Sequence, residues 1–169
     1  MNDADTITIG STIRTPAGGL TVLVNDNVVV AAGFAPAPQL WDRLKPTVRR
    51  ELVERAEVGK ITRLIEDYLD GRLDAIDAIP VDQPGTDLQL ETWAALRAIP
   101  PGETRTYTEL ASMTSNPRAI RAAGTACGAN LIAPMVPCHR ALRADGSLGG
   151  YYYGLDVKRW LLDHETRWA

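Results

Sequence analysis

The sequence predicts an α/β first half followed by a mostly helical second half that contains a helix-turn-helix. Three observations predict this fold: strand-like alternation before residue 30, helical spacing of apolar residues between residues 39 and 70, and two short helical segments joined by a tight turn after residue 105. A chain of 169 residues has room for one ordinary domain or two small ones. Its 45% hydrophobic and 23% charged residues are typical of a globular protein.

Strands are predicted at the start of the chain. Apolar and polar residues alternate over residues 7–9 and in part over 20–24, as in strands with one buried face. The turn-forming residues 25–27 precede a further apolar run at 28–30. This order predicts a hairpin.

Two helices and a linker are predicted after the hairpin. Helical spacing extends over residues 39–58, where Pro46 opens or kinks the helix, and over 60–70, where Gly71 is the expected stop. Residues 74–85 contain two prolines, scattered acids and little periodicity. They are interpreted as a linker, which places the domain boundary near its end.

Charge is distributed unevenly between the two predicted domains, residues 1–85 and 86–169. The first has nine Lys and Arg against thirteen Asp and Glu, and the second has nine against eight. Five arginines but a single acid, Glu109, lie within residues 105–143. Any surface that faces a polyanion is expected there, and an arginine-rich solvated face explains the charges equally well.

The second half has clear helix signals. Residues 88–99 and 155–165 are predicted to be helical, and 106–109 match a capping box before a short helix. Asn116, as N-cap before a proline, predicts the start of another helix over 117–127. The two short helices describe a helix-turn-helix, although many helical hairpins with this pattern bind no nucleic acid.

The second of the short helices carries Arg118 and Arg121 on a background of small residues. Small side chains let a helix approach a neighbouring helix closely, and they equally let it enter a DNA groove. Arg121, projecting from such a face, could enter the duplex itself. The small residues are Ala119, Ala122, Ala123, Gly124, Thr125, Ala126 and Gly128.

The run Pro137-Cys138-His139-Arg140 is the strongest indication of chemistry. A thiol is flanked by a residue that restricts the backbone, a potential general base and a fixed positive charge. An ordinary thiol titrates near ~8.5, and adjacent basic groups can lower that pKa by several units. The thiolate is a strong nucleophile. The alternative is a buried cysteine that happens to adjoin a histidine.

Other functional classes receive little support from the sequence. No apolar run approaches the ~20 residues that span a bilayer. Residues 1–5 are acidic where a signal peptide needs positive charge, so the protein is expected inside the cell. A reducing compartment would keep Cys127 and Cys138 free. The usual zinc-ligand spacings are missing, and no metal is expected.

In this context the Pro-Cys-His-Arg run resembles that of the O6-alkylguanine-DNA alkyltransferases, also called methylated-DNA–protein-cysteine methyltransferases. The resemblance is close over residues 85–166, whereas the first half resembles the family only in general layout. The matching segments are 101–104 with Tyr107, 116–124, Asn130, 137–140, 150–154, and 158–165.

The resemblance implies a ribonuclease-H-like first domain, a small sheet with helices, and a mostly helical, winged-helix-like second domain that binds DNA through the minor groove. It also implies that a damaged guanine is flipped out of the stack and passes its O6-alkyl group to the cysteine. O4-alkylthymine is an expected second substrate. The transfer would be permanent, so each molecule would act once. The resemblance implies no cofactor. The expected partner is double-stranded DNA that contains O6-alkylguanine, bound by a monomer, with cooperative binding of several molecules left open.

The resemblance assigns four residues to the reaction. Cys138 matches the alkyl acceptor, and His139 matches the base that deprotonates it through a water. Glu165 matches the carboxylate that orients this histidine. Asn130 matches the hinge between the recognition helix and the active site.

Further residues match the pocket and the DNA surface. Tyr107 matches a residue that crowds the phosphate and hydrogen-bonds the flipped guanine, and Arg121 matches the side chain that fills the gap. Lys158 matches a residue thought to assist proton movement. The other expected pocket residues are Ala141, Tyr151, Tyr152 and Tyr153. The other expected DNA-binding residues are Arg118, Ala122, Ala123, Gly124, Thr125 and Arg140.

The pocket departs from the family pattern, and two other protein classes remain open. Ala141 replaces a common valine, and Tyr152 and Tyr153 stand where mammalian relatives have small residues, which disfavours bulky groups such as benzyl. One alternative is a non-catalytic DNA-binding module, which the retained cysteine disfavours. The other is a thiol hydrolase or oxidoreductase, for which the sequence lacks a small-molecule pocket signal.

Overall fold

The computed structural model describes residues 6–169 and divides them into two compact units. The first unit contains residues 6–83 together with 131–135, and the second contains 84–130 and 136–169. The acidic start of the chain lies outside the described residues. The domain boundary predicted at residue 85 stays a prediction. It did not anticipate that residues 131–135 belong to the first unit.

The first unit is built on a mixed sheet. Its elements are β1 (Ile7–Thr15), β2 (Gly18–Asn25), β3 (Val28–Gly33), α1 (Ala37–Arg43), β4 (Glu51–Glu54) and α2 (Lys60–Leu69). The strands lie in the order β3-β2-β1-β4, with β4 parallel to β1 and the other pairs antiparallel. The predicted hairpin is confirmed: Asp26 and Asn27 have φ values of 50° and 64°, the left-handed conformation that a two-residue hairpin turn needs.

The predicted helix over residues 39–58 is wrong. Helix α1 ends at Arg43, and Leu44 is already extended with ψ 142°. Pro46 has no N–H to donate and restricts the residue before it to extended conformations, so the helix does not continue. Residues of β4 then pair with the distant strand β1. Local periodicity does not report such a long-range pairing.

The predicted linker over residues 74–85 is also wrong. A 3₁₀ helix spans Leu73–Ala78, and its side chains contribute to the core of the first unit. Beyond it, Val29 donates its N–H to Pro80 O over 2.9 Å and accepts from Asp82 N at 3.0 Å. The segment is therefore a packed edge of the unit. By contrast, α2 and its stop are confirmed, since Gly71 has a φ of 103°.

The second unit is mostly helical. Its elements are α3 (Asp87–Ala98), β5 (Arg105–Thr106), α4 (Tyr107–Ser112), α5 (Ile120–Ala129), a 3₁₀ helix (Cys138–Arg140), β6 (Ala141–Leu142) and α6 (Leu155–Trp168). Trp93 on α3 donates its indole N–H to Ala126 O on α5 over 2.9 Å, so α3 supports the helix pair. One half of the capping box predicted at residues 106–109 is confirmed, because Thr106 Oγ1 accepts from Glu109 N at 3.1 Å.

Helices α4 and α5 form the predicted helix-turn-helix, but α5 starts later than expected. It begins at Ile120, and Asn116 accepts the N–H of Ala119 within the preceding turn. Asn116 is thus a turn residue and does not cap the helix. In residues 6–169, none of the helices combines the length and apolar character that crossing a membrane requires.

Candidate active site

The sulfur of Cys138 lies at the start of the 3₁₀ helix that follows α5. Asn130, at the end of α5, donates its side-chain amide to Val136 O over 2.8 Å and to Cys138 Sγ over 3.3 Å. One buried amide therefore fixes both the loop before the cysteine and the sulfur itself. Cys138 is 9% exposed, so its surroundings exclude most solvent.

His139, Arg140 and Glu165 form a buried charged cluster behind this sulfur. His139 Nε2 lies 2.8 Å from Glu165 Oε1. Arg140 binds both carboxylate oxygens, with Nε 2.9 Å from Oε2 and one terminal nitrogen 2.8 Å from Oε1. Its other terminal nitrogen donates to Ile99 O over 2.6 Å, at the end of α3. All three side chains of the cluster are at most 1% exposed.

The carboxylate of Glu165 determines the tautomer of His139. Burial alone would raise the pKa of Glu165, but His139 and Arg140 outweigh it and hold the pKa well below its ordinary value. An ionised carboxylate can only accept hydrogen bonds, so Nε2 must carry the ring hydrogen. Burial lowers the pKa of His139, against the opposing pull of Glu165, so the ring is neutral at neutral pH. Nδ1 is then the basic nitrogen, and it has no hydrogen-bond partner among the described residues.

Lys158 supports the loop between β6 and α6. Its buried ammonium donates to Ala141 O over 2.7 Å, to Leu148 O, and to Gly150 O over 3.3 Å. Burial lowers the pKa of Lys158, while negative charge on Cys138 and Cys127 would raise it. Its hydrogens are directed at backbone oxygens. The contacts therefore make it a brace for the predicted pocket, and the proton-transfer role stays a prediction.

Tyr107 is brought to the same region by the short strands. β5, directly before it, pairs in parallel with β6, directly after the Cys138–Arg140 turn. Burial raises the pKa of Tyr107, and negative charge on Cys127 and Cys138 adds to this, so the hydroxyl stays protonated and able to donate. Gly149, with a φ of 69°, lets the loop approach closely: a Cβ there would lie 3.3 Å from the Tyr107 hydroxyl oxygen.

The tyrosine run forms an edge-to-face cluster. The ring centroids of Tyr152 and Tyr153 lie 5.0 Å apart, and those of Tyr151 and Tyr153 lie 5.8 Å apart. Tyr152 is 61% exposed, whereas Ala141, the remaining expected pocket residue, is fully buried. The loop thus presents one large aromatic side chain to solvent and keeps its neighbours against the fold.

The expected DNA-binding residues divide into two sets. Four are exposed along the turn and α5, and Gly124 is half-buried; the exposed four are Arg118, Arg121, Ala122 and Thr125. For Ala123 and Arg140 the prediction is wrong. Ala123 is 1% exposed and shares the inner face of α5 with Ala126 and Cys127. Arg140 is buried with its guanidinium on Glu165, so neither side chain can reach a duplex from this position.

Two sets of hydrogen bonds that support the helices of the site were not predicted from the sequence. Glu91 on α3 accepts from Ser115 N at 2.6 Å and from Ser115 Oγ at 2.9 Å, which fastens the turn of the helix-turn-helix. No local pattern connects these two residues. Thr86 and Gln89 form a full capping box at the start of α3, and the Thr-x-x-Gln spacing could have revealed it.

Cys127, the other thiol, is part of the core. Burial, followed by negative charge on Cys138, raises its pKa to about 12. Cys127 is 9% exposed and lies on the inner face of α5 with Ala123 and Ala126. Among residues 6–169, no group of three or more His, Cys, Asp or Glu side chains is arranged to hold a metal ion.

Comparison with known proteins agrees with this geometry. Residues 87–167 match the family model of the DNA-binding domain of 6-O-methylguanine DNA methyltransferase. A methylated-DNA–protein-cysteine methyltransferase of Salmonella typhimurium is 39% identical over 160 residues, which cover 90% of this chain and 92% of the relative.

Solved structures give the same result over nearly the whole chain. The O6-methylguanine methyltransferase of Mycobacterium tuberculosis is 34% identical with a TM-score of 0.78, covering 96% of this chain and 94% of that one. The OGT of the same organism in complex with DNA is 35% identical with a TM-score of 0.79, covering 95% and 94%. These neighbours confirm the predicted two-part fold class.

The two-part fold and these relatives together place the chain in the class of DNA-binding methyltransferases that use a cysteine. The chain belongs to the methylated-DNA–protein-cysteine methyltransferase family.

Proposed function

We propose that this protein repairs DNA by moving the alkyl group of O6-alkylguanine to Sγ of Cys138, once per molecule. The observation that carries the proposal is the arrangement at the end of α5, where Asn130 holds the sulfur and the adjacent His139 has a defined basic nitrogen. A nucleophile and its base placed side by side, with a third group that orients the base, are the features of covalent catalysis.

The step balances without a further reactant. His139 Nδ1 takes the thiol proton, through a water as the resemblance implies. The thiolate then forms the S–C bond while the C–O6 bond breaks and its electron pair goes to the guanine. The guanine gains a proton, which balances the proton that the thiol lost. Since a thioether is not cleaved by this machinery, the acceptor is consumed.

Access to the target atom requires base extrusion. The O6 carbon cannot be reached inside a duplex, and extrusion costs a few kcal/mol, least for a poorly paired base. The exposed Arg121 on α5 is suited to fill the space that the base leaves. The protonated hydroxyl of Tyr107 is suited to donate to the extruded base, where negative charge develops on the leaving group.

The test uses duplex DNA with a single O6-methylguanine. We expect the Cys138 peptide to gain the mass of one CH₂ group, with a yield that never exceeds one methyl per protein. A protein that binds the lesion tightly without gaining mass would be a non-catalytic DNA-binding module. Repeated turnover would point to a different chemistry. Either result would overturn the proposal.

The two cysteines provide a matched control. Cys138→Ala removes the acceptor and should abolish the mass gain while duplex binding persists. Cys127→Ala removes a thiol of the same helical unit that is kept protonated by burial, and it should leave the mass gain on Cys138 intact. Methyl transfer that survives in Cys138→Ala would place the acceptor elsewhere.

The proposal extends to O4-alkylthymine, which presents an alkyl carbon on an exocyclic oxygen in the same way. It also includes action as a monomer on double-stranded DNA inside the cell. Competition between duplexes that contain the two lesions measures the substrate range, and sedimentation of the protein–DNA complex measures the stoichiometry.

A further inference from the structure

Arg140 is a buried arginine whose guanidinium binds the carboxylate behind the nucleophile and a backbone carbonyl at the end of α3. It is 1% exposed and ranks among the largest fully buried side chains of the described residues. Its guanidinium joins three elements: its own 3₁₀ helix, α6 through both oxygens of Glu165, and the end of α3 through Ile99 O. Burying a guanidinium has a desolvation cost that an apolar side chain of similar size would avoid.

We propose that Arg140 is a positioning residue for the acceptor reaction: it keeps Glu165 ionised and correctly oriented, and thereby leaves Nδ1 of His139 as the nitrogen that accepts the thiol proton. The effect on transfer rests on the proposed function of His139. The effect of Arg140 on the protonation of the imidazole does not depend on that proposed function.

The hydrogen-bond geometry supports this role. Glu165 Oε1 accepts from both His139 Nε2 and a terminal nitrogen of Arg140, and Oε2 accepts from Arg140 Nε. Because the donors at both oxygens include a charged guanidinium, they favour the ionised carboxylate over the protonated acid. A bidentate guanidinium also fixes the plane of the carboxylate, which one hydrogen bond to histidine would not do.

The alternative protonation state would disable the base. If Glu165 took up a proton and donated it to His139 Nε2, the neutral ring would carry its hydrogen on Nδ1. That nitrogen could then donate but not accept, so it could not remove the thiol proton. Arg140 opposes this reversal because its positive charge and its two hydrogen bonds favour the ionised carboxylate over the neutral acid.

The charges around His139 have the balance that a neutral base requires. From α6 it faces the negative Glu165 and the positive Lys158, and from its own 3₁₀ helix it faces the positive Arg140. The end of α3 contributes the Ile99 carbonyl oxygen, which Arg140 occupies. Two cations therefore offset the carboxylate. Without Arg140, Glu165 would be free to stabilise a protonated imidazole.

The test compares Arg140→Met, which removes the charge, with Arg140→Lys, which keeps it but cannot bind both oxygens. Single-turnover methyl transfer from an O6-methylguanine duplex is measured from about pH 5 to about pH 9, at temperatures where each variant is folded. The rate should fall on the acid side as His139 becomes protonated. In Arg140→Met this fall should move to higher pH by about one unit, which is a tenfold loss at a given acidic pH.

The conservative variant separates charge from packing. In Arg140→Lys the rate of methyl transfer should fall in acid at nearly the same pH as in the parent protein. Its maximum rate should be lower, because the carboxylate is less well fixed. A uniform loss of rate at every pH in Arg140→Met, with no movement of the acid fall to higher pH, would overturn the proposal and leave Arg140 a packing residue. Arg159→Met is the matched control, since Arg159 lies exposed on α6 and pairs only loosely with Asp156 at 3.5 Å.

A second readout does not depend on DNA. The ¹⁵N chemical shifts of the imidazole ring report which nitrogen is protonated, and the chain contains only two histidines, so His164→Gln assigns them. In the parent protein, Nε2 of His139 should be protonated and Nδ1 unprotonated around neutral pH. In Arg140→Met the ring should titrate at higher pH. An unchanged tautomer and midpoint would overturn the proposal even if methyl transfer is confirmed, whereas failure of transfer alone would leave this result standing.

Discussion

Asn130 donates its side-chain amide both to the sulfur of Cys138, over 3.3 Å, and to the carbonyl oxygen of Val136, over 2.8 Å. The residue that follows the last turn of α5 therefore contacts the nucleophile directly. A hydrogen bond to sulfur favours the thiolate over the thiol, because the charged acceptor is the stronger one. The bond to Val136 holds the approach to the cysteine in place.

Replacing this amide should impair both chemistry and stability. Asn130→Ala removes one of the two donors to Val136 O, which keeps the backbone N–H of Cys138 at 2.9 Å, so we expect a loss of about 0.5–1.5 kcal/mol in the free energy of unfolding. Asn130→Asp keeps the size but puts a carboxylate beside the sulfur, so the transfer rate should fall further than in Asn130→Ala. Denaturant titration and single-turnover kinetics measure the two effects. Equal rates in the two variants would contradict an electrostatic role.

Stability should fall in acid in two stages. The pKa of His139 is lowered on folding from its ordinary 6.5, so below that pH the unfolded chain binds a proton that the folded protein does not. The free energy of unfolding therefore decreases as pH falls through this window. The pKa of Glu165 is lowered from its ordinary 4.5, so a second decrease begins near that pH. Denaturant titrations from about pH 8 to about pH 3 measure both stages.

The matched variant for the first stage is His139→Gln. It has no imidazole to titrate, so its stability should be level between about pH 7 and about pH 5 while the parent protein loses stability. A decrease of the same size in both proteins would assign the acid sensitivity to other groups.

Much of the fold follows from local signals, and the failures share a cause. The hairpin at Asp26 and Asn27 and the helix stop at Gly71 are set by residues that tolerate left-handed conformations, and such signals are local. Strand β4 and the packed segment after Leu73 depend on partners far away in sequence. Neither periodicity nor composition of a short window contains that information.

The site shows the same division. Cys138 and His139 are adjacent in sequence, and the predicted pairing of His139 with Glu165 agrees with the 2.8 Å contact. Arg140 was expected on DNA because its charge lies in the arginine-rich stretch. Charge is readable from the sequence, but burial against a carboxylate 25 positions away is not. Ala123 was expected at the DNA surface because small residues lie on both faces of α5, so their pattern does not show which face is buried.

Lys158 should be needed for the pocket loop. Lys158→Met leaves the carbonyl oxygens of Ala141, Leu148 and Gly150 without their ammonium donor. We expect slower methyl transfer with unchanged affinity for undamaged duplex, because Lys158 is buried with its ammonium on the loop and is not available to a phosphate. Gel-shift titration and single-turnover kinetics separate these quantities. A variant that transfers at the parent rate would show that the loop holds its shape without the brace.

Arg121 should matter only when a base must leave the duplex. Arg121→Ala removes the exposed side chain suited to fill the gap, so transfer from duplex DNA should fall by about tenfold or more, given an extrusion cost of a few kcal/mol. Transfer from free O6-methylguanine should be unaffected. Arg118→Ala is the comparison: it should weaken binding and reduce its salt dependence through loss of a phosphate contact. Equal losses on both substrates in Arg121→Ala would exclude a role in extrusion.

Glu91 should control DNA affinity without touching DNA. Its carboxylate accepts hydrogen bonds from the N–H and the hydroxyl of Ser115. Both bonds lower the pKa of Glu91, and the bond from the backbone N–H has the larger effect. Glu91→Ala releases the turn between α4 and α5, so duplex affinity should fall while transfer from free O6-methylguanine persists. Ser115→Ala keeps the backbone bond and should have a smaller effect. The order of the two variants in duplex affinity is decisive: if Ser115→Ala is the weaker binder, the turn is not held by the carboxylate.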